Sequence, residues 1–95
     1  MVLRELVEEL DAVDIDATIY VRNRRAAGPS SEVLVVLEPD DGSSPAEGFG
    51  YLLEVSLALE VVDVWRRWRA GAEPTPGDMC RALVFYADND KYLPV

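Results

Sequence analysis

One amphipathic stretch, Ser56–Gly71, constrains the fold of this chain more than any other feature. Its large apolar residues recur at i, i+4, i+7, i+8 and i+11, which places them within an arc of roughly 100° on a helix. These residues are Leu57, Val61, Val64, Trp65 and Trp68. Ser56 is a favourable N-cap residue and Gly71 suits the C′ position. The spacing predicts a helix whose tryptophan face packs against the rest of the domain.

Three other stretches are predicted to be β-strands. Ala17–Val21 is rich in β-forming residues. Glu32–Glu38 is a nearly continuous apolar run, which is typical of a central strand covered on both faces. Phe49–Val55 alternates with a period of two residues, which predicts a strand with four residues on one face. Those four are Phe49, Tyr51, Leu53 and Val55.

Two further helices are predicted, one near each end. Helical spacing of Leu3, Leu6, Val7 and Leu10 predicts a helix over about residues 2–11. Near the other end, Thr75, Pro76 and Asp78 resemble a capping box with proline at N1, which predicts a helix that runs to about residue 87 or 88. Its broad apolar face comprises Met79, Cys80, Leu83, Val84, Tyr86 and Ala87, and Phe85 falls outside it.

The predicted element order is α-β-β-β-α-α, in a single globular domain over residues 1–95. We predict an α+β fold with a three-stranded antiparallel sheet and helices packed mainly on one face. Because the predicted loops are short, a meander is the simplest strand order. The four tyrosines are interpreted as core aromatics with hydroxyls at the rim, and Tyr92 and Leu93 as a docking tail.

The charge balance restricts the classes of partner. Eighteen acidic residues against nine basic ones give a net charge of −9. Binding to nucleic acid or to an anionic membrane requires clustered positive charge, so neither is expected as the main partner. Arg22, Arg24 and Arg25 form the densest basic patch, which is interpreted as solvated loop charge. A negatively charged domain instead favours rapid association with a basic protein.

The chain is expected to be cytoplasmic. No apolar run approaches the ~18–20 residues that span a membrane. The early stretch Val2–Leu10 is interrupted by four charged residues, unlike a signal peptide. The sequence leaves the oligomeric state open.

Few residues are suited to catalysis. The chain has no histidine, which excludes Ser-His-Asp and Cys-His arrangements and any His-ligated metal. Cys80 is the single cysteine and is predicted to be a buried helical residue. We therefore expect no enzyme and no cofactor. A metal-dependent enzyme stays as an alternative, because oxygen ligands could come from three aspartate pairs. These are Asp14 with Asp16, Asp40 with Asp41, and Asp88 with Asp90.

A binding module needs only a rigid scaffold, a complementary field and a few anchors. Phe85 and Leu59 lie off the apolar faces of their predicted helices, so they are the candidate anchors at an interface. Acidic residues in turns would supply the negative electrostatic field that attracts a basic partner. The predicted partner-binding residues are Glu38, Asp40, Asp41, Phe85, Asp88 and Asp90.

The sequence also resembles two groups of proteins. From Tyr51 onward, YLLEV, WRRWR with Gly71, PTP, CRA, FYADND and YLP resemble a family of small bacterial proteins without an assigned function. In size, charge and architecture, the whole chain is similar to immunity proteins of contact-dependent growth inhibition and related polymorphic toxin systems. That similarity implies a cytoplasmic α+β protein that neutralises a cognate, often basic, toxin domain. An acidic mimic of nucleic acid that occupies a DNA-binding protein is the alternative use of the same charge.

Overall fold

The α+β architecture predicted from the sequence is confirmed. A computed structural model describes residues 1–37 and 46–94. The helices are α1 (Leu3–Glu8), α2 (Val55–Trp68) and α3 (Pro76–Asn89), and the strands are β1 (Ala17–Arg22), β2 (Val33–Leu37) and β3 (Phe49–Glu54). Two 3₁₀ turns, Leu10–Ala12 and Arg24–Ala26, lie in the connections around β1.

The strand order is β2-β1-β3, with both outer strands antiparallel to β1. The predicted meander is therefore wrong, and so is the prediction that the Glu32–Glu38 run is the central strand. All residues from Ala17 to Val21 in β1 are buried, whereas only Val33 is buried in β2. An apolar run predicts a strand, but its place in the sheet depends on pairing with distant segments, which periodicity does not encode.

A β-bulge changes which residues of β3 face the helices. Ile19 pairs with Leu53, but the next residue, Tyr20, pairs with Tyr51, so Leu52 is an extra residue in β3. Neighbouring residues of β1 point to opposite faces, so Tyr51 and Leu53 do as well. The single alternating face predicted for β3 is therefore wrong beyond the bulge. Tyr51 is 50% exposed, and the centre of its ring lies 6.3 Å from the centre of the Tyr20 ring in an edge-on arrangement.

The core lies between the helices and one face of the sheet. Side chains from all three helices join those of Ile19, Val21 and Leu53 in one buried cluster. The opposite face, which carries Tyr20 and Tyr51, has no helix of the described residues packed on it. Helices packed mainly on one face were predicted, and that arrangement is observed.

Helix α2 begins and ends differently from the prediction. It starts at Val55, directly after β3, with Glu54 rather than Ser56 at the N-cap and no side-chain capping bond. At its end, the Gly71 N–H donates to the Arg66 carbonyl at 2.8 Å. Both Ala70 and Gly71 have positive φ, so the left-handed turn starts one residue before the predicted glycine.

The core face of α2 is also turned relative to the predicted stripe. Val55, Ala58, Val61 and Val62 join the core cluster, which allows close approach to the sheet because these side chains are small. Trp65 packs at the margin of the core, and Trp68 is 50% exposed. The prediction that both tryptophans pack against the sheet is wrong for Trp68. The centre of its ring lies 5.8 Å from the centre of the Tyr92 ring, in an edge-on arrangement.

The capping box of α3 is confirmed. The Asp78 N–H donates to Thr75 Oγ1 at 3.1 Å, and the Thr75 N–H donates to Asp78 Oδ2 at 3.0 Å. Pro76 occupies the first helical position, where its missing N–H costs no hydrogen bond. This reciprocal pair sets the start of the helix that carries the candidate site.

The cap makes α3 sensitive to acid. The backbone hydrogen bond from Thr75 holds the pKa of Asp78 below its ordinary value of 3.8. A carboxyl group with a lowered pKa stabilises the fold above its unfolded-state pKa and loses that effect as the pH falls through its folded-state pKa. We expect Asp78→Asn to flatten the stability profile below about pH 4, measured by urea unfolding at a series of pH values. Equal acid dependence in both proteins would contradict this assignment.

Candidate functional site

A groove between α3 and the segment Ala27–Pro29 is the candidate site. It has a volume of about 450 Å³ and opens to solvent. Its walls are largely apolar, with polar groups from α3 at the rim. The lining residues are Ala27, Gly28, Pro29, Gly77, Cys80, Arg81, Val84, Phe85, Asp88 and Asn89. A groove of this size and composition can accept a side chain of a partner or a small ligand.

Phe85 lies in this groove and is half-buried. Its position follows from the register of α3, where Cys80, Ala82 and Leu83 face the core and turn Phe85 away from it. The Asn89 side chain donates to the Phe85 carbonyl at 2.9 Å, which ties the residue into the last turn of the helix. A half-buried aromatic ring at such a position offers apolar contact area to a partner.

Arg24 connects the C-terminal part of α3 to the sheet. Its guanidinium lies 2.9 Å from an Asp88 carboxylate oxygen, and its Nε donates to the Tyr51 carbonyl at 3.1 Å. A Cβ at Gly50 would lie 2.9 Å from the Arg24 Cβ, so the absence of a side chain there permits this close approach. The negative charge of Asp88 is thus partly compensated by Arg24, and Arg24 connects α3 to β3.

The other arginines of the predicted basic patch differ in role. Arg22 lies 3.2 Å from Glu32 and places its guanidinium 4.6 Å from the centre of the Phe49 ring. Arg25 is exposed. The interpretation as solvated loop charge is therefore wrong for Arg24, which is partly buried, whereas Arg22 is exposed but belongs to β1 and not to a loop.

Cys80 lies at the base of the groove and is fully buried. Burial raises the pKa of its thiol from 9.0 to about 11, so it is protonated at neutral pH. A protonated, inaccessible thiol is a poor nucleophile and a poor metal ligand. Cys80 therefore acts as a small apolar residue, as predicted.

The structure brings together only part of the predicted site. Phe85 and Asp88 line the groove. Asp90 is exposed at the C-cap of α3 in a left-handed conformation and does not line the groove. The other three predicted binding residues, Glu38, Asp40 and Asp41, lie outside the described residues.

Leu59, the second predicted anchor, has a different environment. It is half-buried in a crevice with Val7, Leu10 and Val62, between α2 and the first segment of the chain. Its side chain packs against the core cluster, so it contributes to helix packing.

Several groove residues were missed by the sequence reasoning. Gly77, Arg81 and Val84 were not predicted as binding residues. Together with the predicted Phe85 and Asp88 they recur at helical spacing, so this second stripe on α3 could have been found from the sequence. Arg24 and the Gly28–Pro29 wall could not, because they reach α3 only through tertiary packing.

The aspartate pairs show no candidate metal centre in the part of the chain that the structure describes. No group of three potential ligands occurs within residues 1–37 and 46–94. The Asp14 carboxylate accepts the Asp16 N–H at 2.9 Å, which is an Asx turn, and Asp88 pairs with Arg24. The pair Asp40 and Asp41 lies outside the described residues.

Comparisons with known proteins found no match for this chain among protein-family models, curated proteins or solved structures. No described helix is both long and apolar enough to cross a membrane. The resemblance to immunity proteins therefore stays a prediction, and the groove is the basis for a functional proposal.

Proposed function

We propose that this chain is a protein-binding module of the immunity type, which binds and neutralises a basic toxin domain. The observation that carries the proposal is the groove beside Phe85, a solvent-accessible apolar site on a domain of net charge −9. Interface anchors are commonly aromatic residues in partly enclosed apolar surroundings. The rim supplies a positive group in Arg81 and a negative group in Asp88, which would orient the partner side chain.

The proposed mechanism has two stages: charge steers the partner to this protein, and an apolar contact then slows dissociation of the complex. The net negative charge steers a basic partner and raises its association rate, an effect that weakens with added salt. Once the complex has formed, an apolar side chain of the partner fills the groove against Phe85 and Val84. Burial of this contact slows dissociation, since differences in affinity at one interface arise mostly in the off-rate.

The direct test begins beside the gene, where the proposal expects a polymorphic-toxin domain to be encoded, and the absence of one would count against it. The two chains are co-expressed and purified together, and the activity of the toxin domain is measured with and without this protein. The proposal expects a stable complex in which the toxin domain is inactive. A neighbouring toxin domain that neither binds nor loses activity would contradict it.

Variants of the groove give a sharper prediction. Phe85→Ala removes the anchor, and we expect the Kd for the partner to rise at least about tenfold, mostly through the off-rate. Gly28→Tyr should weaken binding by filling the groove, because a Cβ at Gly28 meets no atom within 4 Å. Both are measured by surface plasmon resonance at two salt concentrations.

Ser30→Tyr is the matched control for Gly28→Tyr. Ser30 is exposed, belongs to the same connection and does not line the groove, so its substitution should leave the Kd unchanged. Circular dichroism checks that all three variants fold. Wild-type affinity for both Phe85→Ala and Gly28→Tyr would place the binding surface elsewhere.

The nucleic-acid mimic gains no support from the arrangement of charges. Four described carboxylates lie within ion-pair distance of an arginine, which partly compensates their negative charge. They belong to Glu32, Asp63, Glu73 and Asp88. A mimic requires a row of free carboxylates at near-phosphate spacing, whereas the groove beside Phe85 is largely apolar, so the groove favours the binding module.

A further inference from the structure

The outer edge of β2 carries backbone groups that the described residues leave unpaired. The Arg22 N–H donates to the Glu32 carbonyl at 2.9 Å, so even-numbered residues of this strand pair with β1. Backbone groups alternate in direction along a strand, so those of Val33, Val35 and Leu37 point outward. The Val33 N–H donates to the Met1 carbonyl at 2.9 Å, and no described residue pairs with Val35 or Leu37 on that side.

The two edges of the sheet differ in how far their outward backbone groups are hydrogen-bonded. At β3, Arg24 covers the edge by donating to the Tyr51 carbonyl. At β2, the N-terminal segment covers only the start of the strand, through the Val2–Glu32 bridge and the bond to Val33. Natural edge strands are usually protected by charged residues, proline or a bulge, and Val33–Leu37 contains none of these.

Exposed apolar side chains are concentrated at this edge. Four of the seven large exposed hydrophobic residues in the described chain belong to β2 or to the adjoining N-terminus. They are Met1, Leu34, Val35 and Leu37, and Leu37 is 55% exposed. Unpaired backbone groups and exposed apolar side chains thus occur in the same place, which is the combination that favours strand addition.

We propose that β2 pairs with β2 of a second copy, antiparallel about a two-fold axis, to form a continuous six-stranded sheet. The strand is self-complementary, because every side chain from Val33 to Leu37 is apolar and a segment of this kind can pair with an identical one. The strand also carries no charge, so two copies of net charge −9 can meet along Val35–Leu37 without a carboxylate in that paired segment. A charged peptide finds no complementary charge on this strand.

The covered position at Val33 selects one register. Centring the two-fold axis on Val35 would set Leu37 opposite Val33, whose N–H is already bonded to Met1. Centring it on Val36 sets Val35 of each copy opposite Leu37 of the other copy. The outward backbone groups of these two pairs of residues then form four hydrogen bonds. In that register, Val36 lies directly opposite its own counterpart in a non-hydrogen-bonded pair.

This register can be tested with a pair of cysteine variants. Opposed Cα atoms in a non-hydrogen-bonded pair are about 4.5 Å apart, which suits a disulfide. Val36→Cys should therefore form a cross-linked dimer under mild oxidation. Leu34→Cys is the matched control on the same face, since the two copies of residue 34 would be four residues apart along the seam, about 13 Å. The buried Cys80 thiol should not contribute to cross-linking in the folded protein.

We expect Val36→Cys to cross-link at least about tenfold faster than Leu34→Cys. The wild-type chain should associate with a micromolar Kd, since a seam of one strand is smaller than an interface of about 1,600 Å². Light scattering from about 1 μM to 1 mM measures this association. Val35→Lys, which places a charge in the seam, should stay monomeric while keeping its circular dichroism spectrum. A monomeric wild type at the highest concentration, or equal cross-linking of the two cysteine variants, would overturn the proposal.

Discussion

Replacing Leu83 with alanine is expected to lower the free energy of unfolding by about 3–5 kcal/mol. Leu83 is fully buried in α3, the helix that packs against α1, α2 and β3. Truncation there removes apolar contacts and leaves a cavity bordered by several elements that cannot all move inward. Since domains of this kind are stable by about 5–15 kcal/mol, this single change removes a large part of the total.

Urea unfolding followed by tryptophan fluorescence measures the effect of Leu83→Ala. Val84→Ala is the matched control, because Val84 is the next residue in the same helix but is half-buried and lines the groove. We expect it to cost about 1 kcal/mol. Similar losses for the two substitutions would show that the core face of α3 is assigned incorrectly.

The two tryptophans of α2 are expected to differ strongly in their contribution to stability. Trp65 packs against the core cluster, and the Arg69 guanidinium lies 4.4 Å from the centre of its ring. Its replacement by alanine should cost about 2–4 kcal/mol. Trp68 is half-exposed and keeps mainly an edge-on contact with Tyr92, so Trp68→Ala should cost about 1 kcal/mol.

Comparing these two variants shows which face of α2 packs on the core: the stripe predicted from the sequence or the turned face of the structure. The amphipathic spacing alone predicts equal burial and therefore similar losses near 3–5 kcal/mol for both tryptophans. The turned face in the structure predicts unequal losses. Equal and large losses in urea unfolding would favour the original stripe and contradict the observed packing.

The sequence predicted local features of α3 well because local interactions determine them. The capping box at Thr75 and Asp78 involves residues three apart, and both of its hydrogen bonds form. The exclusion of Phe85 from the core face follows from the helical period, and the residue indeed lies in the groove. The spacing of Arg81, Val84, Phe85 and Asp88 could also have been recognised in this way.

The candidate groove itself was not predictable as a whole. One of its walls is Ala27–Pro29, which is separated from α3 by about half of the chain. Asp88 was predicted as part of a free acidic field, but Arg24 reaches it across the edge of β3. Such contacts depend on strand order, and residues far apart in sequence carry no mutual signal in a single chain.

The helices, the strands and the acidic character of the surface could be predicted from the sequence because they reflect periodicity, capping and composition. The strand order, the bulge at Leu52 and the turned face of α2 were decided only by tertiary packing. In each case, several arrangements satisfy the same local pattern equally well. The arrangement that buries β1 on both faces and places small side chains of α2 on the sheet is the one found in the structure. It leaves β2 at an edge and Phe85 in a groove, and both functional inferences depend on these positions.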